Sequence, residues 1–132
     1  AVHDLDGFLA LRETQPCPAL SAFADACVEA LDAHRMPPSE AEIARRRPER
    51  LSPAQRAHLD RWGYPYVFEE WRFHVTLTRR LAEAEKAILM PEAIRFLGEA
   101  AARPRRVATL SLFVQDAPGA PFTIAERLAL QG

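Results

Sequence analysis

Trp71-Arg72-Phe73-His74-Val75-Thr76-Leu77-Thr78 alternates between bulky apolar and polar side chains without a break. A strand repeats every two residues, so Trp71, Phe73, Val75 and Leu77 are predicted to seal a core. Arg72, His74, Thr76 and Thr78 then face the other way. Just upstream, Ser52 offers an N-cap, Pro53 a first helical position and Gln55 the reciprocal acceptor three residues after the cap. This spacing predicts a helix to about Trp62, closed by Gly63 as its left-handed terminal residue. Tyr64-Pro65-Tyr66 follows as an aromatic turn.

Farther out, Ser39 and Glu42 repeat the capping-box spacing ahead of Arg45-Arg46-Arg47, and Pro48 ends that short helix. From Pro18, the residues Leu20, Phe23, Ala24, Cys27, Val28 and Leu31 form one apolar helical stripe that Met36-Pro37-Pro38 terminates. The opening stretch, about Leu5 to Arg12, has strand character and stops before Gln15-Pro16-Cys17-Pro18. Downstream, Leu81 to Ala102 is helical, with Leu81, Ala84, Ile88, Ile94, Leu97 and Ala101 inward and a split or kink expected at Pro91. Val107 to Gln115 and Phe122 to Leu130 alternate as strands around the turn Asp116-Ala117-Pro118-Gly119, which predicts a hairpin. The order is strand, three helices, strand, helix, two strands. It argues for an α+β fold, an antiparallel or mixed sheet with helices on one side, in one domain spanning residues 1–132.

Composition narrows the class of function. Apolar residues make up 48% and charged residues 27%, the balance of a soluble globular protein. No apolar run approaches the ~20 residues that cross a bilayer, so no membrane role is expected. Ala1 to Asp6 carries acids and no apolar signal region, and the two cysteines, Cys17 and Cys27, lack zinc-ligand spacing; a reducing cytoplasm is the simplest expectation. The net charge of −1 supplies no global field for nucleic acid, which leaves at most a small cyclic-phosphate end as a nucleic-acid ligand. The chain begins without an initiator methionine and soon enters a strand, as fragments can.

His74 and Thr76 are the candidate catalytic pair. Imidazole exchanges protons near neutrality, and a hydroxyl two residues along the same strand face can hold a phosphate oxygen. Thr78 extends that polar row, and Arg72 offers a fork for phosphate. Tyr64, Tyr66 and Phe113 could stack a sugar or base, and Arg46 within its arginine run could steer an anion. Each also has a plain structural reading: a strand histidine can bond a neighbour, aromatics fill cores, and an arginine run is a solvated face. No HExxH pair or carboxylate cluster has metal-ligand spacing, so no metal is expected.

Trp62-Gly63-Tyr64-Pro65-Tyr66-Val67 with Arg72-Phe73-His74-Val75-Thr76-Leu77-Thr78 resembles the second histidine motif of the two-histidine (2H) phosphoesterase superfamily. The likeness extends through Asp6-Gly7-Phe8-Leu9-Ala10-Leu11, Ala44-Arg45-Arg46-Arg47, Leu112-Phe113-Val114-Gln115 and Pro118-Gly119-Ala120-Pro121-Phe122. Within the superfamily it is closest to bacterial proteins encoded beside phosphonate-utilisation genes. The resemblance implies a bilobal α+β protein in which two His-x-Thr/Ser motifs face each other across a cleft. One histidine would act as base and the other as acid on a small phosphorylated substrate, a cyclic or ribose-linked phosphoester, with no cofactor. His74 and Thr76 match one motif. His3, His34 and His58 are followed two residues later by Leu5, Met36 and Asp60, so the other motif is missing. The chain thus resembles a C-terminal lobe whose N-terminal lobe is absent, or whose second histidine comes from a homodimer partner; alone it is expected to be inactive. A phosphate-binding module without turnover and a structural half-domain are the alternatives.

Overall fold

A computed structural model describes residues 1–117 and 119–131. They form an α+β fold with antiparallel sheets, arranged as two compact units, Ala1–Gly98 and Glu99–Gly132.

The first unit opens with β1 (Val2–Leu5) and β2 (Phe8–Leu11), joined by Asp6 and Gly7. Both turn residues have positive φ, 51° and 97°, which a two-residue mirror-image turn demands and an Asp-Gly pair supplies. The single strand expected over Leu5 to Arg12 is therefore corrected to a hairpin. Asp4 secures the turn by accepting from Gly7 N at 2.8 Å. β3 (Val75–Thr76) adds antiparallel to β2, giving the order β1-β2-β3.

The strand predicted over Trp71–Thr78 is thus only two paired residues long. Beyond Thr76 a backbone bond from Leu77 N to the Leu9 carbonyl continues the contact, and the Thr78 hydroxyl accepts the Leu9 amide; before it, the His74 ring bonds the Arg72 carbonyl of its own segment.

The helices follow their sequence signals. α1 (Pro18–Leu31) starts with proline in its first turn. α2 (Glu40–Arg45) and α3 (Pro53–Trp62) both carry the reciprocal capping box, Ser39 with Glu42 and Ser52 with Gln55. Gly63 ends α3 at φ 71°, as predicted. The short core centres on Leu9, Ala10, Leu59, Pro65 and Val67. α4 (Glu83–Ala102) runs through Pro91 as one assigned helix, but Ile88 and Ile94, expected inward, are exposed.

In the second unit, β4 (Thr109–Val114) and β5 (Thr123–Ala129) form the predicted antiparallel hairpin. The register passes from Leu112↔Glu126 to Phe113↔Ile124, leaving Ala125 without a partner. The turn expected at Asp116–Gly119 includes Pro118, which lies outside the described residues. No helix among the described residues is long and apolar enough to cross a membrane.

Candidate functional site

The β2–β3 register decides what shares a face. Ala10 lies opposite Thr76, and Ala10 is also opposite His3 on β1. Directly opposed residues project to the same side, so His3, Ala10 and Thr76 form one row across the sheet. His74 immediately precedes β3, and carrying the alternation back by one residue would set it on that side too. The Phe8 ring approaches the His74 ring at a centroid distance of 6.0 Å, tilted by 53°. His74 and Thr76 are both exposed.

His74 Nδ1 lies 2.8 Å from the Arg72 carbonyl oxygen. A carbonyl only accepts, so Nδ1 carries the hydrogen and Nε2 is left to take or give a proton. The backbone of Arg72 thus orients the ring. Its guanidinium turns back, with Nη1 donating to the carbonyls of Glu69 at 2.6 Å and Trp71 at 2.8 Å. Thr78 is committed as well, its Oγ1 accepting from Leu9 N at 3.0 Å.

A second group assembles after α3. Arg35 donates to Asp32 and to the Arg61 carbonyl, and Arg61 in turn pairs with Asp32, which clasps the helix end. These two arginines hold the Asp32 carboxyl below the usual carboxylate range, Arg61 more than Arg35. Beyond the clasp, Arg46 Cζ sits 4.7 Å from the Tyr64 ring centroid, and Tyr66 meets Tyr64 edge-on at 5.6 Å. His58 on α3 bonds Glu69 at 2.9 Å, tying the helix to the segment that leads into His74.

Of the sequence candidates, the structure therefore puts His74 with Thr76, and Arg46 with Tyr64 and Tyr66. The Arg72 guanidinium bonds carbonyls of its own segment, the Thr78 hydroxyl accepts from Leu9 across the sheet, and Phe113 is in the second unit, half exposed on β4. Sequence reasoning passed over Phe8, which packs on the imidazole, and His3, which shares the row of Thr76. Recognising Asp6-Gly7 as a turn would have exposed both. Continuing the register by one residue sets Arg12 opposite His74, and Arg12 Nε is buried without a hydrogen-bond partner. A surface hollow lined by Leu51, Pro53, Arg56, Ala57 and Asp60 contains none of the candidates. No cluster of three or more His, Cys, Asp or Glu among the described residues is arranged to hold a metal ion.

Comparison with known proteins gives two kinds of match. The family model described as "Protein of unknown function (DUF1045)" matches residues 1–123. The chain is 37% identical over 137 residues to a ribose 1,5-bisphosphate phosphokinase PhnN of Janthinobacterium sp. (strain Marseille), covering 99% of this chain and 30% of that protein. It is 36% identical over 121 residues to the protein of the same name from Laribacter hongkongensis (strain HLHK9), covering 91% of this chain and 27% of that one. The chain thus spans less than a third of the length of either relative. No solved structure matches it.

Proposed function

The chain belongs to the DUF1045 family, and from that premise we propose that it is one lobe of a phosphoester-handling enzyme of phosphonate metabolism. The observation that carries the reading is His74, with Nδ1 fixed on the Arg72 carbonyl and Nε2 left for proton transfer on the face it shares with Thr76. A tautomer held in this way is what a general acid or base requires.

The relatives' name points to ribose phosphates as the surrounding chemistry. The chain has five glycines, at positions 7, 63, 98, 119 and 132, and no glycine-rich phosphate loop. Acid–base work on a cyclic or ribose-linked phosphoester suits it better than phosphoryl transfer from a nucleotide. The chemistry belongs to the 2H phosphoesterase type: Thr76 holds a phosphate oxygen, His74 moves a proton, and the opposing imidazole comes from a lobe outside this chain. The small share of each relative that the chain covers supports such a lobe. The cytoplasm is the compartment this reading assigns, in keeping with the unpaired thiols of Cys17 and Cys27.

The test uses the whole natural polypeptide and its His74→Ala variant against cyclic ribose phosphodiesters. Loss of acid–base assistance is expected to lower kcat ~10²–10⁴-fold; equal turnover removes His74 from the mechanism. The lone His-x-Thr also favours a second reading, a phosphate-binding module. Calorimetric binding of small phosphates with no turnover by the whole polypeptide would select it.

A further inference from the structure

The Tyr64-Pro65-Tyr66 turn and the end of α2 make a cluster that the chemistry at His74 does not use. Pro65 is fully buried and Val67 is 6% exposed, while Tyr64 and Tyr66 are 40% and 43% exposed. Buried neighbours pin this backbone and force both phenol rings outward. The tyrosines are displayed by the packing.

Arg46 lies over the Tyr64 ring, yet its guanidinium makes no hydrogen bond or ion pair among the described residues. The nearby carboxylate of Glu42 is already engaged, accepting from both Ser39 N and Ser39 Oγ at 2.8 Å. The capping box of α2 thereby occupies the obvious local partner. An arginine stacked on an aromatic face keeps its in-plane N–H donors unspent while losing much of its freedom to move. Arg46 also covers one face of Tyr64, so that face cannot stack a base. The cluster suits an oxyanion, which a planar fork can grip with two parallel bonds.

The geometry points to Arg46, propped by Tyr64 and flanked by Tyr66, as a subsite for a second anionic group on the substrate. The substrate would then be a phosphoester carrying a further phosphoryl group away from the bond that breaks. This assignment rests on the phosphoester reading for what the substrate is, but its binding chemistry can be measured without turnover.

The experiment titrates inorganic phosphate into the whole natural polypeptide and follows the Arg46 Nε–Hε nuclear magnetic resonance signal, identified by its loss in Arg46→Gln. The signal is expected to shift and saturate, and Arg46→Gln to lose one phosphate-binding isotherm in calorimetry. Arg46→Lys keeps the charge without the fork and should weaken that isotherm at least ~5-fold. Tyr64→Leu should weaken it ~2–5-fold through the lost cation–π contact. His74→Ala should leave the Arg46 response intact, which separates this subsite from the catalytic reading. An Arg46 signal that does not move, moves without saturating, or loses its response in His74→Ala overturns the proposal, as does equal phosphate binding by wild type and Arg46→Gln.

Discussion

At Thr78 one hydroxyl already serves the fold. Its Oγ1 accepts from the amide of Leu9, a residue with no exposed surface, and a buried amide left without an acceptor costs ~1–3 kcal/mol. Thr78→Val keeps the branched shape and removes the acceptor. It is expected to cost ~1–3 kcal/mol in chemical denaturation while KM for a phosphoester stays put; a tenfold rise in KM at unchanged stability would return Thr78 to the ligand. His3 poses the opposite question, because it shares a row with Thr76 yet has Leu5, not a hydroxyl, two residues along its own strand. His3→Ala is expected to leave turnover within about twofold, whereas a drop of ~10²-fold would make His3 the missing acid–base partner. Alternation alone predicted His74 and Thr76 on one face, although the ladder itself takes in only Val75 and Thr76. The Leu9 amide that claims Thr78 was not legible, because it depends on two segments 69 residues apart in sequence having met, and the Arg72 carbonyl that orients the ring lies only two residues away but depends on a local backbone path that alternation does not specify.

At the scale of elements, local chemistry was the most readable. Two capping boxes and the glycine at the end of α3 fall where their spacing predicted, since a cap needs only residues three apart. Strand length was harder, because it depends on a partner. Eight alternating residues gave a face, yet the ladder narrows to Val75–Thr76. The β1–β2 hairpin is tied to α4 by Lys86, which reaches Asp4 at 2.6 Å and Glu83 at 2.7 Å. The hydrogen bond to Lys86, then that from Gly7 N, holds the Asp4 carboxyl below its usual range, and Asp4 first and Glu83 second raise the Lys86 ammonium above its own. A depressed acid stabilises the fold above its unfolded pKa and loses that contribution as pH falls. A raised base does so below its unfolded pKa and loses it as pH rises. The denaturation midpoint is therefore expected to be level between about pH 5 and 9, to fall below about pH 4 and to fall again above about pH 10.5. In Asp4→Asn the acid limb should shrink. An unchanged acid limb would show that the strap contributes nothing.

For the whole molecule, what matters is the apolar surface the described residues leave open. No described residue of the second unit is buried, and Leu112, Phe113, Ile124 and Leu128 of its hairpin are all exposed. Two strands alone are marginal in water, so this hairpin needs a surface that its own two strands do not supply. In the first unit, Ile88, Ile94 and Phe96 stand out from α4, with Phe96 82% exposed. Apolar exposure of this kind marks an interface rather than a finished surface. The relatives are more than three times the length of the stretch they share with this chain. On the proposed reading of a lobe outside this chain, residues 1–132 produced as a short form are expected to bind a hydrophobic dye and to self-associate in sedimentation, and a polypeptide that carries that lobe to do neither. Changing Phe96 and Leu112 together to serine should reduce dye binding by the short form. A discrete dimer of the short form that hydrolyses a phosphoester would identify a second copy as the cover, and a monodisperse, dye-silent monomer would remove the need for any.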